Sequence, residues 1–386
     1  MPGPRAYLDY NSSAPLLPAA RTAMLAALDA GANASSVHDE GRTARRMIED
    51  ARREVAALVG GSPEHVVFTS GATEAASTLL SPDWLYGRAA VRMSRLYVSA
   101  ADHPCLLNGG RFPRDRVQAI GVTGEGKVDI AALGEALQGH DREAGLPLVA
   151  IHLANNETGV IQPVREIADA VKAAGGVLVL DAVQAAGRIP LDVAAADFLI
   201  LSSHKIGGPA GSGAFVAASG LMMPKPLVSG GGQEKGLRAG TENLPGIAGF
   251  GAAARAAAEA LPAMTRLAGL RDRVEDAVLR LAPGARIFGR GADRLPNTVF
   301  FAIPGVKAET AQIGFDLAGV AVSAGSACSS GKIGPSHVLE AMGYGDNEGA
   351  LRVSVGHATS LAEIDAFEAA LAGILARSAQ ARTKAA

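Results

Sequence analysis

The sequence has little cysteine and little charge of either sign. Only two cysteines, Cys105 and Cys328, occur among its 386 residues, which excludes a disulfide scaffold and an all-cysteine metal site. Charged residues make up 19% of the chain, and the formal net charge is −2. Because nucleic-acid-binding proteins usually carry a basic patch, this balance does not favour such a partner. We predict that the protein has no metal site and no nucleic-acid partner.

Long apolar runs are absent as well. No run approaches the roughly 18 apolar residues of a membrane-spanning helix. The opening sequence MPGPRAYLDY lacks the cationic segment and the apolar core of a signal peptide. We therefore expect a cytoplasmic protein that is not inserted in a membrane.

The sequence does contain a series of short apolar strands separated by helical segments. This alternation predicts a mostly parallel sheet covered by helices on both faces. A long helical stretch follows at 243–281, and we expect Pro245 and Pro262 to break or bend it. Beyond this stretch the pattern changes to α+β, with one strand predicted at 320–323. We predict a large α/β domain formed by residues 11–255 and a smaller α+β domain formed by residues 1–10 and 256–386.

Polar residues follow the apolar strands, at the ends where open α/β sheets bind ligands. The strand at 198–201 is followed by Ser202, Ser203, His204 and Lys205. Desolvation lowers the pKa of an amine, so a lysine in this position can act as a nucleophile or attach a carbonyl cofactor. Considered alone, Lys205 is more simply explained as a surface lysine.

Several strand-end residues together match the requirements of pyridoxal 5′-phosphate (PLP). This cofactor needs a lysine for covalent attachment, a carboxylate at the ring nitrogen, a flat side chain over the ring and an anion cradle. Lys205 and Asp181 supply the first two, and His103 supplies the third and, with an ordinary pKa of about 6.5, a proton shuttle. The other candidates are Ala72, Thr73, Ser202 and His204 for the phosphate, and Asn156 and Gln184 for the ring hydroxyl.

Simpler explanations exist for each of these residues. The segment 70–74 is also compatible with an ordinary helix start in which Thr73 is the N-cap. A buried histidine is usually a core residue, and a strand-end aspartate is often a cap. A nucleotide site is poorly supported, because GxxxxGK[ST] is absent and no GxGxxG follows the first strand.

Cys328 lies among small residues, in the sequence SAGSACSSGK. Such surroundings are typical of an accessible loop, where a thiol with a pKa of about 8.5 is partly ionised and can act as a nucleophile. An incidental loop cysteine is the alternative. Cys105, which is followed by two leucines, is predicted to be packed rather than catalytic. Arg352, in the strand sequence LRVSV, is a candidate for binding a carboxylate, and an ion pair on an edge strand explains it equally well.

Seven motifs, taken together, resemble those of the cysteine desulfurases, the NifS/IscS-like group of the class V aminotransferase family. In chain order they are GATE at 71–74, DHP at 102–104, NNETG at 155–159, LDAVQ at 180–184, SSHK at 202–205, GGGQEKGLRAGTEN at 230–243 and SAGSACSSG at 323–331. They extend over nearly the whole chain. The segment 81–95 matches no motif of the family, Ser229 stands where many relatives carry histidine, and His357 stands where some carry arginine.

The resemblance implies a PLP-dependent transferase of fold type I that forms a homodimer. It implies that Lys205 holds the cofactor, that Asp181 meets the ring nitrogen and that His103 stacks on the ring. The residues implied for the phosphate are Thr73, Ser202 and His204 of one subunit and Thr241 of the other.

The resemblance also implies a reaction. Cys328 would take the sulfur of L-cysteine as a persulfide, while Arg352 and Asn33 hold the substrate carboxylate. Alanine would be released, and the sulfur would pass to an acceptor such as an iron–sulfur cluster scaffold. Selenocysteine lyase or another β-eliminating class V enzyme is an alternative, and so is a catalytically idle partner protein with this fold.

Overall fold

The computed structural model of the protein describes residues 5–324, 336–345 and 349–385. Its strands are β1 (Ala6–Tyr7), β2 (Val66–Thr69), β3 (Asp83–Tyr86), β4 (Ala89–Ser99), β5 (Val117–Ile120), β6 (Leu146–His152), β7 (Val177–Asp181), β8 (Phe198–Ser202), β9 (Gly213–Ala217), β10 (Met222–Pro224), β11 (Arg286–Ile287), β12 (Thr298–Ala302), β13 (Val320–Ala321), β14 (Ser323–Ala324) and β15 (Leu351–Ser354). Its helices are α1 (Pro18–Ala30), α2 (Asp39–Leu58), α3 (Ala72–Leu79), α4 (Pro104–Leu107), α5 (Ile130–Gln138), α6 (Val164–Ala173), α7 (Leu244–Ala260), α8 (Met264–Leu281), α9 (Ala308–Leu317), α10 (His337–Ala341) and α11 (Leu361–Ala385).

The main sheet has nine strands, in the order β10-β3-β4-β6-β7-β8-β9-β2, with β5 also paired to β4. Strands β4, β5, β6, β7 and β8 are parallel to their neighbours in this group, whereas β3 and β9 run antiparallel to theirs. The predicted α/β class with a mostly parallel sheet is therefore confirmed. The segment 81–95, which matches no family motif, forms the β3–β4 hairpin that widens this sheet.

Helices cover both faces of the main sheet. Because successive side chains of a strand point to opposite faces, alternate residues of one strand pack in different hydrophobic clusters. In β6, Val149 and Ile151 pack in one hydrophobic cluster together with residues of α2, α5, α6 and α7. Leu148 and Ala150 pack in a second cluster with residues of α3. Both faces of the strand are therefore buried, as its continuous apolar sequence predicts.

A separate hydrophobic cluster surrounds the four-stranded sheet β11-β12-β15-β14. Residues of α8 and α11 pack in it, and so do Ala6 and Leu8 near the N-terminus. The change from one core to the other occurs at the 3-10 turn Leu261–Ala263, between α7 and α8. This turn contains the predicted break at Pro262, while Pro245 lies in the first turn of α7 and does not break it. The domain boundary between residues 255 and 256 stays a prediction.

The strand predicted at 320–323 is two short strands in different sheets. β13 pairs in parallel with β1, whereas β14 pairs with β15. The pairing of β1 with β13 attaches the N-terminus to the smaller sheet, and the following residues, Asn11 and Ser12, reach the main sheet at Lys205. Residues 5–12 thus connect the two sheets beside the predicted site.

Candidate active site

The parallel strands of the main sheet end around one cavity of about 420 Å³. β8 ends at Ser202 and continues in the 3-10 turn Ser203–Lys205, while β7 ends at Asp181. Nine of the residues that the sequence singles out line the cavity: Ala72, Thr73, His103, Asn156, Asp181, Gln184, Ser202, His204 and Lys205. Parallel strands end at the same edge of a sheet, so one topological rule brings these distant residues together.

Lys205 is held by the backbone that crosses from the smaller sheet. Its Nζ donates hydrogen bonds to the carbonyl oxygens of Asn11 and Ser12, both at 2.7 Å. Asn11 is fully buried, and its side chain donates to the carbonyl oxygen of Asn156 at 3.3 Å and to Thr298 Oγ1 at 2.9 Å. The position of the lysine amine therefore depends on the segment after β1, which the sequence analysis did not assign to the site.

Asp181 is a buried carboxylate with spare hydrogen-bonding capacity. Burial raises its pKa to about 6, although Lys205 acts in the opposite direction. Oδ1 accepts a hydrogen bond from the backbone N–H of Val183 at 2.9 Å. Among the described residues, none donates a hydrogen bond to Oδ2. The carboxylate is thus suited to a ligand that brings a cation or an N–H donor into the cavity.

His103 is held as a neutral ring. Burial and, to a smaller extent, the charge of Lys205 lower its pKa to about 4. Its Nδ1 accepts a hydrogen bond from the backbone N–H of Cys105 at 3.2 Å, which leaves the ring proton on Nε2. The ordinary pKa assumed for this histidine in the sequence analysis is therefore too high. Burial likewise lowers the pKa of His204 to about 4.

The structure adds a buried acid–imidazole pair behind the cavity. Asp102 is fully buried, and its Oδ1 accepts hydrogen bonds from the backbone N–H of His152 at 2.8 Å and from His152 Nδ1 at 2.5 Å. Its Oδ2 accepts from Ser99 N at 2.7 Å. His152 ends β6 and lines the cavity. The strand-end rule could have identified His152, and the DHP motif includes Asp102, but only the fold brings the two together.

A candidate anion cradle lies at one end of the cavity. The N-terminal turn of α3, with Ala72 and Thr73, faces the cavity, as does Ser212, whose buried Oγ has no hydrogen-bond partner among the described residues. The turn before α3 lies against β9, because a Cβ at Gly213 would be 2.7 Å from the backbone of Gly71. Free N–H groups at a helix start and an unsatisfied hydroxyl are suited to a phosphate. The helix begins after Gly71, so Thr73 is not its N-cap.

Arg352 lies next to the cavity on β15, with 1% of its surface exposed. Its Nη2 donates to Asp9 Oδ1 at 2.8 Å, and its Nη1 donates to the carbonyl oxygen of Asn156 at 3.0 Å. Asn156 lines the cavity, so the guanidinium group and the cavity share one loop. The ion pair with Asp9 agrees with the simpler explanation, but β15 lies between β12 and β14 and is not an edge strand. The assignment to a substrate carboxylate stays a prediction.

The remaining candidates lie outside this cavity or outside the described residues. Asn33 is in an exposed loop, where its Oδ1 accepts a hydrogen bond from Ser35 N at 2.8 Å. Thr241 lines an adjacent cavity of about 200 Å³, which shares Ser70, Gly211 and Ser212 with the first. Cys328 lies outside the described residues.

Cys105 is a thiol on the wall of the cavity. It is packed against the cluster that contains α3, and burial raises its pKa well above the ordinary value. A protonated, packed thiol is a poor nucleophile. The environment therefore agrees with the packed residue expected from the sequence.

Known proteins identify the family of this chain. The family described as Aminotransferase class-V matches residues 6–367. The chain belongs to the class V aminotransferase family. It is 40% identical over 373 residues to a cysteine desulfurase of Cereibacter sphaeroides, covering 94% of this chain and 93% of the relative. It is 36% identical over 394 residues to an IscS-like cysteine desulfurase of Mycobacterium tuberculosis, covering 99% of each.

Solved structures lead to the same family. A NifS-like protein from Rickettsia africae superimposes with a TM-score of 0.85 and 32% identity, covering 96% of this chain and 99% of that one. The predicted membership of the NifS/IscS-like cysteine desulfurase group is confirmed, and with it the fold class and the prediction that the protein is an enzyme. Within the described ranges, no helix has both the length and the apolar character needed to cross a bilayer.

Proposed function

We propose that this protein is a PLP-dependent cysteine desulfurase that converts L-cysteine to L-alanine and retains the sulfur as a persulfide on Cys328. The observation that carries the proposal is the convergence of Lys205, Asp181 and His103 on one cavity beside an anion cradle. Membership of the cysteine desulfurase group supports the substrate and the reaction.

The cavity fits PLP at three points. Asp181 Oδ2 is suited to the protonated ring nitrogen, and the α3 N-terminus with Ser202, His204 and Ser212 is suited to the phosphate. Lys205 is the candidate for covalent attachment, and Asn156 and Gln184, which line the same cavity, are the candidates for the ring hydroxyl. When bound, PLP supplies an electron sink for bonds made and broken at the substrate carbon atoms.

Lys205 and His103 have different roles in this proposal. The Lys205 amine contacts the carbonyl oxygens of Asn11 and Ser12. After the substrate amine has displaced it, the Lys205 amine moves the proton at the substrate α-carbon. His103 provides a neutral ring face, because its Nδ1 lone pair is occupied by Cys105 N–H. Proton transfer by His103 would require this hydrogen bond to break, so the shuttle role stays a prediction.

The sulfur-transfer step is assigned to Cys328. Its thiolate attacks the sulfur of the substrate, a sulfur–sulfur bond forms and the carbon–sulfur bond breaks. The carbon keeps the electron pair and takes up a proton, which gives alanine, while the cysteine sulfur is oxidised to the persulfide level. Arg352 is the candidate for the substrate carboxylate, because bidentate recognition favours arginine. Asn33 is exposed in this chain, and its part in carboxylate binding stays a prediction.

The partners follow from the same assignment. We include in the proposal a cytoplasmic homodimer in which Thr241 reaches the phosphate of the other subunit. We also include a sulfur acceptor such as an iron–sulfur cluster scaffold. Within a single chain, the cavity lined by Thr241 adjoins the cofactor cavity through Ser70, Gly211 and Ser212. The assignment of Thr241 to the other subunit comes from the family resemblance.

A visible absorption spectrum of the purified protein, recorded before and after L-cysteine is added, tests the proposal. We expect a cofactor band that L-cysteine perturbs, together with alanine in amounts that grow with time when a thiol reductant is present. Lys205→Ala should lose the covalent link, and Cys328→Ala should keep the band and lose alanine formation. Alanine formation by Cys328→Ala would contradict the nucleophile, and an unperturbed or absent band would favour an idle partner protein. Turnover of L-selenocysteine alone would favour the lyase.

A further inference from the structure

Arg188 is a buried cation beside the cofactor cavity. It follows β7, and only 8% of its surface is exposed. Its Nη1 donates to the backbone oxygen of Gln184 at 2.5 Å and to Gln184 Oε1 at 2.6 Å, and its Nη2 donates to the carbonyl oxygen of Tyr10 at 3.4 Å. Within the described part of the chain, no carboxylate forms an ion pair with it. All of its hydrogen-bond acceptors are thus uncharged.

A buried cation without a counter-charge is costly, and the surroundings of Arg188 are positive. Burial and, to a smaller extent, the charge of the nearby Arg352 on β15 lower its pKa to about 10, so the guanidinium group is still charged at neutral pH. Arg352 is itself paired with Asp9. Lys205 lines, with Arg188, a second cavity of about 210 Å³. An anionic ligand group in this region would therefore offset the charge.

Gln184 connects this cation to the cofactor cavity. Arginine has only donors, so the amide oxygen of Gln184 must face Arg188. The amide nitrogen then donates to the carbonyl oxygen of Asn11 at 2.9 Å, the oxygen that also accepts from Lys205 Nζ. Since Gln184 lines the cavity, its second N–H is available to a ligand. The guanidinium group thus fixes which end of the amide a cofactor meets.

We propose that Arg188 is a positioning residue that holds Gln184 as an N–H donor toward the ring hydroxyl of PLP, and whose charge favours the ionised form of that hydroxyl. This inference rests on the proposed function, because it requires PLP in the cavity. It goes beyond that function by assigning control of the ionisation of the cofactor to a residue that does not line the cofactor cavity.

Two matched variants of the holoenzyme test the proposal. Arg188→Lys keeps both a donor and the charge, whereas Arg188→Gln keeps a donor and removes the charge. The readout is the pH midpoint of the visible absorption band of bound PLP, measured without substrate. Loss of a positive charge favours uptake of a proton by the bound cofactor, so we expect the midpoint of Arg188→Gln to rise by about one pH unit. The midpoint of Arg188→Lys should stay close to that of the wild type.

Two outcomes would overturn the proposal while the wild type retains its band and forms alanine. One is an unchanged midpoint in Arg188→Gln, and the other is an equal shift in both variants, which would indicate a merely structural role. If Arg188→Gln does not fold, Gln184→Glu replaces it, because a carboxylate there cancels the charge of Arg188. The same rise is expected, and an unchanged midpoint again overturns the proposal. A wild type without PLP would instead overturn the proposed function itself.

Discussion

The Ser336 hydroxyl donates a hydrogen bond of 2.5 Å to Oε2 of Glu157, across 179 positions of the sequence. Glu157 belongs to the NNETG motif, next to Asn156 on the cavity wall, and is 2% exposed. Ser336 is the N-cap of α10, where its Oγ accepts from Leu339 N at 3.2 Å. The pair therefore fastens the helix that follows the sequence around Cys328 to the loop beside the cofactor cavity.

Glu157→Gln should make the free energy of unfolding less sensitive to rising pH. Burial raises the pKa of Glu157 to about 7, although the Ser336 hydrogen bond and Arg352 act in the opposite direction. The folded-state pKa exceeds the ordinary value of 4.5, so the contribution of this carboxyl to the free energy of unfolding is lost as the pH rises through 7. We expect the free energy of unfolding of Glu157→Gln, relative to the wild type, to increase by on the order of 2–3 kcal/mol from about pH 5 to about pH 8.

Urea denaturation at the two pH values measures this difference. The exposed Glu166→Gln controls for the substitution itself. A relative stability of Glu157→Gln that does not change with pH would show that the Glu157 carboxyl does not titrate in this range.

Asp181→Asn should stabilise the cofactor-free protein and impair the enzyme. Burial raises the pKa of Asp181 to about 6, so above that pH the fold contains a costly buried charge. An asparagine can still accept the hydrogen bond from Val183 N. We expect a gain on the order of 2–3 kcal/mol in the free energy of unfolding at about pH 8, with little gain at about pH 4.

The same variant should form alanine more slowly by about 100-fold or more, because the ring nitrogen of PLP loses its charged partner. Chemical denaturation of the cofactor-free variant and alanine quantification with PLP in excess check the two effects. A variant that is stabilised but fully active would place the ring nitrogen elsewhere.

The sequence is sufficient to predict the residues at the ends of strands. Asp181 and Lys205 follow continuous apolar strands, and parallel strands end at one edge, so the chemistry of the cavity follows from local patterns. The contacts that tune it are not local. Asn11 reaches Lys205 across 194 positions, and Asp102 reaches His152 across 50. No periodicity encodes such contacts, and the lowered pKa of His103 depends on burial that only the fold creates.

The fold differs from the prediction where short segments could pair with more than one strand. Residues 320–323 have one apolar pattern, but β13 and β14 pair with strands of different sheets. The β3–β4 hairpin is held by Trp84, which is fully buried and donates from Nε1 to Ser81 O at 2.8 Å. Such pairings depend on tertiary contacts more than on intrinsic strand preference.

Arg52→Met should be far more harmful than Arg53→Met, although the two arginines are neighbours on α2. Arg52 is buried and forms a two-bond ion pair with Glu234, with distances of 2.7 and 2.8 Å. Its loss leaves the carboxylate of Glu234 buried without its cation, in a residue that already has a positive φ of 46°. We expect a loss of about 3–5 kcal/mol in the free energy of unfolding.

Arg53 is the matched control, because it is exposed and pairs with Asp50 on the surface of the helix. Its replacement should change stability by about 0.5 kcal/mol or less. Denaturant titration of both variants measures the contrast. Equal effects would mean that the ion pair of Arg52 with Glu234 adds no more to the free energy of unfolding than a surface ion pair does.

Thr241 gives a direct test of the proposed dimer. If it serves the phosphate of the partner subunit, Lys205→Ala and Thr241→Asp impair different sites. Each variant alone should be nearly inactive, one without the lysine and the other with a carboxylate against the phosphate. In a heterodimer with one copy of each, the Thr241→Asp chain contributes Lys205 and receives an intact Thr241. One of its two sites is then complete, so we expect about half of the wild-type activity per dimer.

Co-expression with two different affinity tags isolates this heterodimer, and alanine quantification measures its activity. A heterodimer as inactive as its parents would show that Thr241 acts within its own chain, since the only lysine-bearing site would then carry the aspartate.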